Sequence, residues 1–199
     1  MQISRRHLLG SGLGAGALLA MPSAARAVSQ DQTARLISTA RRELERLGKK
    51  ITVTDRVGVT DFTLPSWQSR FFILDMESGK VDAYRTTHGR GSDRAHSGWV
   101  KNFSNIPGSN ATSRGAYLTA EFYTGKHGSS MRLDGLDHDN DKARDRAIVV
   151  HGAWYANPAM IKKHGKLGRS EGCFAFAEKQ LPEILEKLGP GRLLYAGKF

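Results

Sequence analysis

The sequence predicts a mainly β, α+β domain with one helix near each end. Three observations carry this. Twenty-two glycines against six prolines supply the tight turns that strands need and helical bundles do not. From Ile51 onward the apolar residues come in short runs with strand-like spacing, bounded by turn residues. Helical spacing is confined to two stretches, one early and one late.

The first helix runs from Ser29 to Gly48, where Ile37, Ala40, Leu44 and Leu47 recur three or four residues apart and Gly48 supplies the stop. A hairpin follows, with Arg70 to Met76 and Val81 to Thr86 flanking the turn Glu77-Ser78-Gly79-Lys80. Asp93 to Thr112 is rich in Ser, Asn and Gly and reads as a long surface loop. Later strands are expected at Ala116 to Tyr123, Ser130 to Leu133, Ala147 to His151 and Leu193 to Ala196. Leu181, Ile184, Leu185 and Leu188 mark the second helix. Pro182 is tolerable there only in the first turn, and Gly189-Pro190 ends it.

The chain has 199 residues, of which 39% are hydrophobic and 25% charged, a balance that excludes a disordered or fibrous chain. The N-terminus reads as an address. Arg5-Arg6 precede a mildly apolar stretch, and Ala25-Arg26-Ala27 is a small-x-small cleavage site. Residues 1–27 are therefore expected to be a twin-arginine-type signal peptide, and residues 28–199 a single domain exported to the periplasm or cell envelope. The uncharged apolar run, Leu8 to Met21, is shorter than the roughly 20 residues a spanning helix needs, so no stable membrane insertion is expected after cleavage. A formal charge of +11 could point to nucleic acid, but the basic residues are spread and no aromatics interleave with them. Anionic wall polymers are the better match.

Cys173 is the single cysteine. An exported protein that keeps one unpaired thiol exposes it to oxidation, so a chemical role competes with that of a buried, inert side chain. The surrounding Gly168-Arg169-Ser170-Glu171-Gly172-Cys173 is polar and flexible. Gly172 allows close backbone approach, and adjacent N–H groups can face a developing oxyanion. A thiol nucleophile also needs a base. His88, His127, His151 and His164 are all followed by glycine, but only His151 ends an apolar run, Ala147 to Val150, whose strand would fix the imidazole. An imidazolium beside Cys173 would be expected to lower the thiol pKa toward neutrality. Asp137 to Asp141 begins like a calcium loop, but Lys142 and Ile148 occupy the positions that need Gly and an acid. No metal or cofactor is called for.

Together these segments resemble the L,D-transpeptidase catalytic domain, the YkuD-like family, in its exported branch with a Ser-x-Gly-Cys motif. Ile148 to Ala153 matches a strand followed by His-Gly, Ser170-Glu171-Gly172-Cys173 matches the nucleophile motif, and Thr112 to Tyr117 matches a Thr-(Pro/Ser)-x-Gly-x-(Tyr/Phe) element. The resemblance implies a β-sandwich and a cysteine acyltransferase acting on the stem peptides of peptidoglycan. Cys173 would be the nucleophile, His151 the base, Gly172 with Cys173 the oxyanion donors, and Ser170 a support for the loop or the histidine. Tyr117, Arg169 and Arg114 would bind substrate, with Arg146 a further arginine that spacing does not distinguish from them. Glu171 and Ala175 stand where many relatives have His and Arg, which removes an obvious anchor for a substrate carboxylate. A thiol hydrolase of murein, such as an L,D-carboxypeptidase, and a non-catalytic wall-binding module are the competing readings.

Overall fold

The computed structural model describes residues 28–199; the expected signal segment lies outside the described residues. The elements in order are α1 (Gln30–Leu47), β1 (Arg56–Asp61), β2 (Phe71–Asp75), β3 (Val81–Tyr84), β4 (Gly115–Gly125), β5 (Gly128–Gly135), β6 (Val149–Gly152), α2 (Pro158–His164), β7 (Phe174–Phe176), α3 (Leu181–Leu188) and β8 (Leu193–Gly197). The expected α+β class is observed. Ser29 caps α1 by accepting from the Gln32 amide at 3.2 Å, and Pro182 sits in the first turn of α3. Three elements were not anticipated: β1, β7 and α2.

All eight strands form one sheet in the order β3-β2-β1-β8-β4-β5-β6-β7. β1 pairs with β8, and β6 with β7, in parallel; the remaining pairs are antiparallel. Six strand spacings separate β2 from β7, about 29 Å in a flat sheet. Yet the rings of Phe71 on β2 and Phe176 on β7 lie 4.8 Å apart. The sheet therefore curls over until its halves face each other, which produces the sandwich. Its edges meet directly: the Thr87 amide, just past β3, donates to the Ala175 carbonyl on β7 at 3.0 Å.

Strand alternation divides the apolar residues between two cores. Phe71, Ile73, Tyr117, Val150, Phe174 and Phe176 point into the enclosed space, which Ile184 and Leu188 of α3 help to fill. Val57, Val59, Phe72, Leu74 and Leu193 point outward and meet Leu36, Ala40 and Leu47 of α1. Each leucine buried this way contributes about 2 kcal/mol. Gly58 permits the close seat of α3, since a Cβ there would lie 3.0 Å from Leu188 Cδ2.

Candidate active site

The parallel register of β6 and β7 builds the site. Val150 pairs with Phe174 and His151 with Ala175. Because Val150, Phe174 and Phe176 fill the core, alternation turns Val149, His151, Cys173 and Ala175 to the opposite face. Cys173 stands one step before the first register pair, beside Val149, and His151 lies two residues further along. Strand spacing and rise place the two backbones about 8 Å apart, a span that a thiol and an imidazole on one face can close.

The His151 Nδ1–H donates to the Gly152 carbonyl at 2.9 Å, and Nε2 makes no hydrogen bond among the described residues. That pattern leaves Nε2 as the acceptor nitrogen. Burial lowers the His151 pKa to about 4; the Gly152 carbonyl opposes it, and smaller effects of the neighbouring His127 and Lys126 add to the lowering. The partly exposed Cys173 thiol donates to the Ala147 carbonyl at 3.4 Å, and burial pushes its pKa upward. The expected imidazolium-depressed thiol is thus corrected. Both groups are neutral at neutral pH, because desolvation disfavours either charge. Ala147 holds an uncommon φ of 51° immediately before its carbonyl meets the thiol.

Gly172 is required on two counts. Its φ is 125°, and a Cβ would stand 2.8 Å from the Ala111 carbonyl oxygen. Ser170 Oγ accepts from the Gly172 amide at 3.2 Å and donates to the Cys173 carbonyl at 2.7 Å, closing the loop on itself. The Gly172 N–H is therefore engaged, contrary to its expected place among the oxyanion donors. The loop is held from outside by a short parallel ladder, with the Ser170 amide on the His88 carbonyl at 2.9 Å and the Arg90 amide on the Ser170 carbonyl at 2.8 Å.

The residues expected to bind substrate are not gathered at the sulfur. Tyr117 has no exposed surface; its ring packs edge-on against Phe174 and its hydroxyl donates to the Ser113 carbonyl, so it supports the site from beneath. Arg169 reaches the carbonyls of Asp93 and Arg94. Arg114 pairs with Asp139 at 2.6 Å and lines a cleft of about 630 Å³ that includes neither Cys173 nor His151. Arg146 is the arginine beside the Cys173 loop. Its guanidinium lies 3.4 Å from the Cβ position of Gly172 and donates to the carbonyls of Ser104 and Ala111. Tyr155 was not among the expected residues; its backbone carbonyl accepts from the Gly168 amide, and both burial and the nearby Cys173 and Glu171 hold its hydroxyl in the neutral form. Its signal was its place four residues after His151, next to the exposed Trp154.

His88 is no competitor for the role of base. Its Nδ1 accepts from Arg70 at 2.8 Å and its Nε2 faces Asp93 at 3.3 Å. The acids of the rejected calcium loop are occupied with Arg46 and the Ala116 amide at Asp137, Arg114 at Asp139 and Asn105 at Asp141.

Comparison with known proteins identifies the family. Residues 29–196 match the L,D-transpeptidase catalytic domain. No curated protein matches the sequence significantly. Similar solved structures include the helical cell shape determining protein of Campylobacter jejuni, at 15% identity over 80% of this chain and 54% of that one, with a TM-score of 0.47. L,D-transpeptidase 3 from Mycobacterium tuberculosis is 12% identical over 72% of this chain and 61% of that one, with a TM-score of 0.46. An L,D-transpeptidase from Mycobacterium smegmatis is 12% identical over 72% and 58%, with a TM-score of 0.43. The chain thus spans less than two thirds of each of these proteins. On the family match, which takes in nearly all the described residues, the chain belongs to the L,D-transpeptidase catalytic domain family.

Proposed function

We propose that this protein is an exported murein L,D-transpeptidase that uses Cys173 as its nucleophile. The observation that carries the reading is the shared face of β6 and β7, with the thiol beside Val149 and an imidazole whose Nε2 is uncommitted two residues on. His151 Nε2 takes the thiol proton as sulfur attacks the carbonyl by which meso-diaminopimelate is joined to the terminal D-alanine of a stem tetrapeptide. The Cys173 N–H faces the oxyanion, since the Gly172 N–H is held by Ser170. The proton passes to the departing amine, D-alanine leaves, and a thioester remains. An amine of a neighbouring stem then attacks that thioester, forms the new amide of a 3→3 cross-link, and returns the proton to sulfur by way of His151.

A neutral thiol and a neutral imidazole suit this sequence, because the proton moves during attack rather than before it. The segment with Arg5, Arg6 and Ala25-Arg26-Ala27 would carry the folded domain to the envelope, where this substrate lies. The test is incubation of purified protein with disaccharide-tetrapeptide and analysis of the products by mass spectrometry. Cross-linked dimers are expected, and Cys173→Ser should abolish them along with the single carbapenem adduct in the intact mass. Tripeptide alone would make the protein a hydrolase; no product and no adduct would leave a wall-binding module.

A further inference from the structure

One imidazole over the active face has no part in the reaction just described. The β4–β5 hairpin has an exposed tip, and its turn returns Lys126 and His127 toward the end of β6. There the His127 ring stacks on the His151 ring, with centroids 4.2 Å apart and planes 22° from parallel. His151 is hydrogen-bonded at one nitrogen only, and a ring held at a single point can still tilt about that bond. A flat neighbour against its face removes that freedom and keeps water off the ring.

We propose that His127 is a positioning residue: stacked on His151, it fixes the plane of the base with Nε2 presented to Cys173. The proposal rests on the reading of His151 as the base. The surroundings agree with it. From the hairpin turn, Lys126 and His127 face His151, and Cys173 stands just before β7 with its thiol on the Ala147 carbonyl. Its partner across β5 is the uncharged Ser130. Glu171 bears on Cys173 and Tyr155 instead. No carboxylate therefore favours a proton on His151, and His127 has its own pKa lowered by burial and by Lys126. The stack is a contact between neutral rings through the neutral range, which avoids like-charge repulsion.

The experiment compares His127→Ala, His127→Phe and His151→Ala. It reads Cys173 alkylation by iodoacetamide against pH, turnover of disaccharide-tetrapeptide, and the His151 ring titration by NMR. His127 is exposed, so both substitutions there should leave the melting temperature unchanged. His127→Ala should lower kcat about ten- to a hundredfold with little change in KM. It should also move the acidic limb and the His151 titration upward from about 4 toward the ordinary 6.5. His127→Phe, which keeps a flat ring in place, should restore most of the rate that alanine loses. An unchanged His127→Ala, or a His127→Phe as slow as His127→Ala, overturns the proposal while leaving His151 as base. If His151→Ala itself alkylates at the wild-type rate, the reading of His151 falls and this one falls with it.

Discussion

His151 and His88 are both about 1% exposed, and burial lowers both pKa values, to about 4 and about 3. Their partners separate them. At His88 both nitrogens are committed, so the ring is a neutral bridge between the fully buried Arg70 and Asp93. At His151 one nitrogen is committed and the other is left over, with a thiol on the same face. Burial makes an imidazole neutral; only an unpaired nitrogen makes it a base. A perturbed pKa therefore marks two kinds of residue here, and hydrogen-bond accounting tells them apart.

The largest expected effect is on chemistry. His151→Ala should slow acylation of Cys173 about 10²- to 10⁴-fold, with little loss of stability, read as carbapenem adduct formation over time. An equal loss in His88→Ala at unchanged stability would break the distinction between the two rings. Next comes stability. His88→Ala should cost about 3 kcal/mol, because Arg70 and Asp93 lose their bridge; urea unfolding at pH 7 measures it. Gly172→Ala should cost about 2 kcal/mol, since alanine disfavours a φ of 125° and its Cβ meets the Ala111 carbonyl. The same unfolding series would reveal a neutral effect, which would mean that the loop relaxes freely.

The smallest effect is a slope. Both histidines have folded pKa values below the ordinary 6.5, so the unfolded chain takes up their protons first as pH falls. Their contribution to stability is whole above pH 6.5 and is lost toward about 4 for His151 and about 3 for His88. His88→Gln can keep the bridge without titrating. It should flatten the fall of unfolding free energy by about 1.4 kcal/mol per pH unit below 6.5. Unfolding curves at pH 7, 6 and 5 with the wild-type slope would show that His88 is not titrating.

What could be read from the sequence follows from range. The hairpin of β2 and β3, α1 with Ser29, and α3 with its glycine stop are local patterns, and all three are where spacing puts them. β1 was missed because most of its six residues are buried, which erases the alternation that marks a half-exposed strand. The three-residue β7 is too short for any period, and α2 buries no residue, so it has no apolar stripe. The same holds at the site. Cys173 and His151 stand out by local context, whereas Arg146 and His127 reach the site through contacts 26 and 24 residues away in the chain that only the folded sheet creates. Tyr117 was misjudged for the complementary reason: its motif placed it near the sulfur but could not say on which side of the backbone its ring would lie.

The position of β8 bears on how the molecule assembles. Leu193–Gly197 is the joint between β1 and β4, so β1-β2-β3 and β4-β5-β6-β7 have no direct pairing with each other. Until that strand arrives, each half is a separate ribbon with an unprotected edge, one presented by β1 and the other by β4. During synthesis the first ribbon must wait for more than a hundred further residues before it has a partner. Closure is then a single late event, slow by the rule that distant pairings cost chain entropy before they repay it. The ladder that braces the Cys173 loop forms between segments that follow β3 and precede β7, one from each ribbon. The pairing of β6 with β7 lies within the second ribbon, whereas this bracing ladder needs both.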